Sequence, residues 1–551
     1  MAKKYRILIK RGIYLAVCAG IISLSVASVF AQRKPKPNKT SASAVAQTPL
    51  SANAKNALDA AVAALQSEAM AEAEKQARQA VRFAPHSPVA QNVLGVVLDK
   101  AGKSKEAFAA FETAIRLDPK FVSPRNNLAR LLAEQNKTAE AIAQFVNLLR
   151  IDPNYLQAHY NLGTLYAQTE NFKKSAEHFA RARQTEPNDI QLALSFLNVA
   201  YRAERQTEAN AAADSVERAV GDDVRGLFTL GLALAQNKQY ERAIRVFTNA
   251  DKLQPKTFEI LYNLGISLYN LDRIDDAIIH LAQAADVNPE PPETHFRLGL
   301  AASEKKDFAN AAEEFRHAIE RDPKNANYHY LLGREYFRAG FFEGSIQEYG
   351  KAIALNPKEV AYVMARGNAN YRKGEWQSAA IDFDLAAVLD PNTKDIDYLR
   401  GYTHRAAGNF DKARELLEKF VAKNPNHIDS LASLAYVAIE QGRLIDAEPL
   451  LKKILTLDPD NTPALFDFAR LAVKQRNYEE GARRLEKVVA KDQLHTQAFY
   501  QLFLTYSRLK LTAKAQTALA DFRRLGALEK QSTQDRLLDE KIRTQQMLNQ
   551  P

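Results

Sequence analysis

Aromatic and basic residues recur at a fixed interval along this 551-residue chain. Tyr160, Phe228, Tyr262, Phe296, Tyr330, Tyr398, Phe466 and Tyr500 are separated by 34 residues or by a multiple of 34. Arg334, Arg338, Arg372, Arg405, Arg470, Lys474 and Arg508 follow at fixed offsets within the same interval. On a helix these offsets place rings and cations along one stripe. Arginine offers a planar fork that grips a carboxylate with two parallel hydrogen bonds, and a ring beside it supplies apolar area. The chemistry of such a stripe is capture of a carboxylate-bearing partner, either an acidic peptide segment or an anionic glycan. The competing reading is that the rings fill a wall between helices and the cations are solvated.

Bond-making chemistry has no comparable footing. The chain has no Gly-rich phosphate loop, nucleophile elbow or paired-cysteine motif, and no two histidines at metal-binding helical spacing around a glutamate. The ten histidines are scattered, and His159, His295 and His329 fall where a partly buried packing role is expected. The carboxylates are assigned to solvated outer faces. No catalytic residue, metal site or cofactor is therefore expected, and the chain reads as a non-enzyme.

The elements that must carry the stripe follow from the same interval. Prolines stand at 85, 119, 153 and 187, and again from 255 to 459 at steps of 34. Taking each proline as position 32 gives fourteen frames without an insertion, from 54–87 to 496–529. Position 20 is small in every frame, as at Ala107, Ser175 and Gly481, and position 8 is Gly or Ala except at Leu197 and Phe503. Positions 4, 7, 8 and 11 make one helical stripe, such as Leu227, Leu230, Gly231 and Leu234, and Tyr240, Ala243, Phe247 and Ala250 make the facing one. Small residues let the paired helices approach closely, Asn237-Lys238 or Lys373-Gly374 makes the turn between them, and proline ends the second helix. The fold class is all-α, a solenoid of antiparallel helix pairs.

At Asn161-Leu162-Gly163-Thr164-Leu165-Tyr166, Arg366-Gly367-Asn368-Ala369-Asn370-Tyr371 and Ala379 to Ala386 the chain resembles the tetratricopeptide repeat family over residues 54–529. The resemblance implies a right-handed superhelix whose first helices line a concave groove, and a scaffold or adaptor that binds protein partners. Positions 2, 5, 9, 12 and 13 of the first helices would face that groove, which makes Tyr330, Arg334, Arg338, Arg372, Tyr398, Arg405, Phe466, Arg470, Lys474, Tyr500 and Arg508 the candidate partner-binding residues. The family's carboxylate clamp is not supported, since Asn368 at position 9 is accompanied by Met364, not lysine, at position 5. Frame 190–223 departs from the pattern, with Leu197 at the small position, Ala213 where a bulky residue is usual and Gly221 in place of proline. A local packing defect is expected there, read either as a hinge between repeats 1–4 and 6–14 or as ordinary drift within one repeat. Residues 530–551 are expected to form a tail and capping helix over the last repeat.

The formal net charge of +10 suggests nucleic acid until it is located. Lys3, Lys4, Arg6, Lys10 and Arg11 open the chain, and Arg33, Lys34, Lys36 and Lys39 follow, with no acid among residues 1–53. The remaining body is almost neutral, so nucleic acid is excluded as a general partner. An apolar run from Gly12 to Ala31 separates the two basic clusters and has the layout of a signal peptide over residues 1–31, with cleavage between Ala31 and Gln32. Its length also suits an uncleaved membrane anchor over residues 12–31. Cys18 is the only cysteine and lies in that run. Residues 32–53 read as a flexible linker. The array is thereby expected to be exported, periplasmic or secreted, or held at the inner membrane of a bacterial envelope.

Overall fold

The computed structural model describes residues 50–548, and the expected signal, anchor and cleavage site lie outside them. Twenty-eight helices and no strand occur among the described residues, two helices to each of the fourteen frames. No described helix is long and apolar enough to cross a membrane. The chain divides into two compact units, one ending at Leu253 and one beginning at Gln254. Repeats 1–6 make the first and repeats 7–14 the second.

Within each unit the sequence punctuation acts as expected. The residue at position 15 takes a left-handed backbone in all fourteen repeats, from Glu68 (φ 59) and Gly102 (φ 74) to Lys510 (φ 58). The following N–H bonds back to the carbonyl five residues earlier, as Lys103 does to Leu98 at 2.8 Å, closing the first helix with a Schellman-type turn. The last residue of a frame often caps the next helix. Asp189 accepts from the Leu192 N–H at 2.8 Å and Asn461 from the Ala464 N–H at 3.0 Å. The first helix, Ala52–Gln66, starts just inside the segment read as linker because Ser51 caps it.

Two expectations change at the ends and in the middle. Thr512–Leu548 is one continuous helix, so residues 530–548 extend the last repeat's second helix and form no separate cap. Ala527 stands where other repeats carry the helix-ending proline, and nothing in its place stops the ladder of backbone hydrogen bonds.

The packing defect expected in repeat 5 is not in its core. Elsewhere the glycine at position 8 lies under a bulky residue at position 24. A Cβ on Gly163 would come within 2.8 Å of the Phe179 ring, and one on Gly333 within 2.9 Å of Tyr349. Repeat 5 exchanges the two sizes, and Leu197 and Ala213 are both fully buried. What opens instead is the seam between repeats 4 and 5, where Ala211 and Ser215 leave a cleft of about 520 Å³ bordered by Arg183, Ile190 and Arg218. Gly221 (φ 52) ends the repeat with a backbone that proline could not adopt, and Asp223 caps the next helix. The division of the chain falls after repeat 6, and repeat 5 lies inside the first unit.

The exchange predicts a double-mutant cycle. Ala213→Phe alone should cost about 1–3 kcal/mol by overpacking, and Leu197→Ala alone about 2–5 kcal/mol by leaving a cavity. The double variant recreates the Ala129 and Phe145 pair of repeat 3, both fully buried, and should be more stable than the sum of the singles by at least about 1 kcal/mol in denaturant melts. Additive costs would show that the two positions do not face each other.

Candidate functional site

The position-5 rings lie partly or fully inside the stack. Tyr330 lies 5.7 Å from Tyr349 of its own second helix and 5.0 Å from Tyr362 of the next repeat. Tyr398 meets Phe420 at 5.5 Å and His427 at 4.9 Å, and Phe466 meets His495 at 4.6 Å. Tyr500 is the most open of the four, 36% exposed, yet it too packs on Phe522 at 5.0 Å. These rings join neighbouring helices and repeats.

The basic residues divide into two groups. Arg334 donates to Glu335 at 2.6 Å, and Arg338 donates to the Ser303 hydroxyl at 2.8 Å and to Glu335 at 3.3 Å. Glu335 has no exposed surface, so two arginines neutralise one buried carboxylate. Arg470 pairs with Asp467 at 2.7 Å and with Glu440, while Lys474 donates to the Ile439 carbonyl at 3.0 Å. Burial lifts the Asp467 carboxyl above the usual carboxylate range even with Arg470 beside it. By contrast Arg372, Arg405 and Arg508 have no carboxylate at ion-pair distance among the described residues. Arg372 lies over the Phe342 ring at 5.5 Å, Arg405 is held between two tyrosines, and Arg508 is exposed.

Those two tyrosines belong to a ladder that the sequence reading missed. Tyr371 approaches Tyr402 at 5.8 Å, the Arg405 guanidinium sits 4.5 Å from Tyr402 and 4.9 Å from Tyr436, and Arg470 lies 4.9 Å from the Tyr436 ring. The order Tyr371, Tyr402, Arg405, Tyr436, Arg470 crosses the first helices of repeats 10 to 13. All five occupy positions 9 or 12, the stripe already assigned to the groove. Only the cations had been collected there, and the tyrosines at the same positions were the available signal. Burial and the adjoining Tyr402 hydroxyl push Tyr371 up to about 12, which keeps the phenol neutral. A row of alternating rings and guanidinium planes offers apolar faces and charge-assisted donors together.

Beneath the ladder the core itself is charged. At position 7, where repeat 2 has Leu94, repeat 10 has Arg366, which grips Asp382 with Nη2 at 2.6 Å and Nε at 3.1 Å. Asn370 donates to the same carboxylate at 2.9 Å, and Asp382 is only 2% exposed. From repeat 11, Arg400 at 2.5 Å and His404 at 3.0 Å reach back to Asp384 on the second helix of repeat 10. Asp382 is not on a solvated outer face, because an arginine that replaces a core leucine needs its counter-charge at the same depth, whereas Asp384 remains about a third exposed. The outer face of repeat 10's second helix, Trp376–Leu389, is instead apolar, with Ile381, Leu385 and Val388 exposed.

Histidine 4 of three repeats bonds instead of merely packing. His159, His295 and His329 each set Nε2 against the carbonyl of the preceding repeat's proline, at 2.9, 3.2 and 3.2 Å. Their Nδ1 atoms meet His178 at 3.0 Å, Glu314 at 2.8 Å and Glu348 at 2.7 Å. Burial raises Glu348, but hydrogen bonds from His329 and Lys351 outweigh it and hold the carboxyl below its ordinary value. In repeat 4, burial and then the charges of His159 and Lys174 bring His178 down to about 4.

Two predictions follow from these contacts. Arg366→Leu alone strands a buried carboxylate and should cost about 3–5 kcal/mol, whereas Arg366→Leu with Asp382→Ala restores the Leu94 and Ala110 pairing of repeat 2 and should recover most of it. Equal losses in the single and double variants would deny the pair its role. For His178, the unfolded chain takes up a proton near 6.5 that the folded repeat refuses until about 4, so stability is lost as pH falls through that window. His178→Gln should therefore show a smaller fall in melting temperature between about pH 7 and pH 4.5 than the parent chain. Parallel falls would assign the acid sensitivity elsewhere.

Comparisons with known proteins agree with this architecture. A tetratricopeptide repeat model matches residues 58–120, 126–190, 262–326, 330–393 and 398–462, and a second tetratricopeptide repeat model matches 438–502. A model of anaphase-promoting complex, cyclosome, subunit 3 matches residues 209–284. No curated protein matches the chain. Among solved structures, the C-terminal part of a TPR repeat-containing protein from Cytophaga hutchinsonii is 21% identical, covering 44% of this chain and 98% of that one with a TM-score of 0.37. MamA from Desulfovibrio magneticus is 24% identical, covering 32% and 99% with a TM-score of 0.30. The anaphase-promoting complex assembly Cut9–Hcn1 is 15% identical, covering 86% and 94% with a TM-score of 0.32. With its helix pairs, its period and the matched models covering more than half its length, the chain belongs to the tetratricopeptide repeat family.

Proposed function

We propose that the protein is a non-catalytic adaptor that holds an acidic protein segment along the first helices of repeats 10–14. The observation that carries this reading is the ladder from Tyr371 to Arg470, flanked by Arg372 and Arg508, in which Arg372, Arg405 and Arg508 have no carboxylate at ion-pair distance among the described residues. A segment carrying Asp or Glu supplies what those guanidinium groups lack, and the tyrosine faces add apolar area to each ionic contact. The near-neutral body favours a local contact of this kind over long-range attraction. We place the adaptor outside the bacterial cytoplasm, on the strength of the apolar run Gly12 to Ala31 and its flanking basic residues. A glycan rich in carboxylates presents related chemistry, and the same variants distinguish it when acidic peptide arrays and acidic glycan arrays are probed side by side.

Arg372→Glu combined with Arg508→Glu reverses two exposed charges that make no ion pair among the described residues. The expected outcome is at least about tenfold weaker retention of acidic peptides, about 1.4 kcal/mol, with an unchanged melting temperature. Binding that is insensitive to both reversals and to salt defeats the proposal. Sequencing the N-terminus of the protein recovered from its own cells tests the location, with Gln32 as the expected first residue.

A further inference from the structure

We propose that repeat 8 contains a binding site for a divalent transition-metal cation of the zinc class, formed by His295 Nδ1, a Glu314 carboxylate oxygen and a ring nitrogen of His317. The inference is independent of the adaptor reading. His295 lies on the first helix, Pro292–Glu304, and Glu314 and His317 lie three residues apart on the second, Phe308–Arg321. Their candidate ligand atoms all fall within 4.8 Å of one another. Ligands of a tetrahedral zinc ion, at about 2.0–2.2 Å from the metal, stand roughly 3.3–3.5 Å apart, so the 2.8 Å contact between His295 and Glu314 needs to open only slightly.

Three further features fit a ligand set. His295 Nε2 sits 3.2 Å from the Pro289 carbonyl, and a proton donated there fixes the ring with Nδ1 directed at Glu314. A backbone carbonyl holding the remote nitrogen is the usual outer support of a metal-bound histidine. His295 is 6% exposed, while Glu314 and His317 are partly open, which leaves a route for the ion and room for water as a fourth ligand.

The neighbouring repeats supply the contrast. Repeat 9 has the same histidine and glutamate in His329 and Glu348, but Lys351 stands where repeat 8 has His317, and its ammonium lies 2.7 Å from the carboxylate. Repeat 4 has Arg181 at that position and a histidine, His178, in place of the glutamate. Two of the three histidine-latched repeats thus carry a built-in cation at position 26, and repeat 8 carries a ligand. Metal entry displaces the proton between His295 and Glu314 to solvent, so binding tightens as pH rises.

The test uses untagged full-length protein, freed of metal with chelator and titrated with Co²⁺ and Zn²⁺. The expected result is one site per chain with visible Co²⁺ absorption bands and a rise in melting temperature on adding Zn²⁺. His317→Ala should weaken binding at least tenfold and abolish the thermal shift, while leaving the melting temperature in chelator unchanged. Lys351→His should add a second site in repeat 9. Titration curves that coincide for the parent and His317→Ala, or a parent chain with no saturable site, would overturn the assignment.

Discussion

The structure depends on one contact made again in twelve of the fourteen repeats, a small residue at position 8 pressed against position 24 of the partner helix. Where the small residue is glycine, the opposing ring sits where a Cβ would otherwise be, as Phe247 does over Gly231 at 2.5 Å. Helices that close have little tolerance for volume, so size gained at one position has to be given up at the other. Repeat 5 makes the point by inverting the pair. Leu197 and Ala213 fill the same space from opposite sides and remain fully buried, so a residue that breaks the sequence pattern leaves the packing intact.

Once the pair is fixed, the turns follow from backbone chemistry. Position 15 must take a left-handed conformation to reverse the chain in so few residues, and glycine does this in only five repeats. The other nine use residues such as Lys238, Asp272 and Lys306, which carry the cost of that conformation against the gain of the helix contact. Strict conformation with relaxed identity explains why the turn is less visible in the sequence than the proline that follows the second helix. At the C-terminal end Ala527, a strong helix former, takes the proline position and the helix runs on to Leu548.

The fold was legible because period and residue size are one-dimensional properties. The site was legible only in part, because its chemistry depends on which side chains meet. Counting arginines at positions 9, 12 and 13 located the stripe but could not show that Glu335, Glu440 and Asp467 already occupy three of the guanidinium groups. Those acids lie on the same helices at offsets that read as solvated. Tyr402 and Tyr436 went unnoticed for the opposite reason, since the sequence does not show that the Arg405 guanidinium lies against both rings. His295, Glu314 and His317 share no sequence motif because their ligand atoms come from two helices nineteen residues apart in chain order.

The ladder and the charged cores below it belong to one arrangement. A leucine-packed repeat tolerates small rotations between its helices, because dispersion contacts vary gently with angle. A bidentate arginine and carboxylate pair does not, since both hydrogen bonds weaken together when the planes tilt. The bidentate pair of Arg366 with Asp382 therefore fixes the first helix of repeat 10 more strictly than packing alone, and the single bond from Arg400 to Asp384 ties the first helix of repeat 11 to repeat 10, at the place where Tyr371, Tyr402 and Arg405 keep their spacing. Desolvating these pairs costs stability that a leucine would not. What that cost supplies is a rigid mounting for a stacked row, and a row of rings and guanidinium planes needs such a mounting if it is to meet a partner without first being ordered by it.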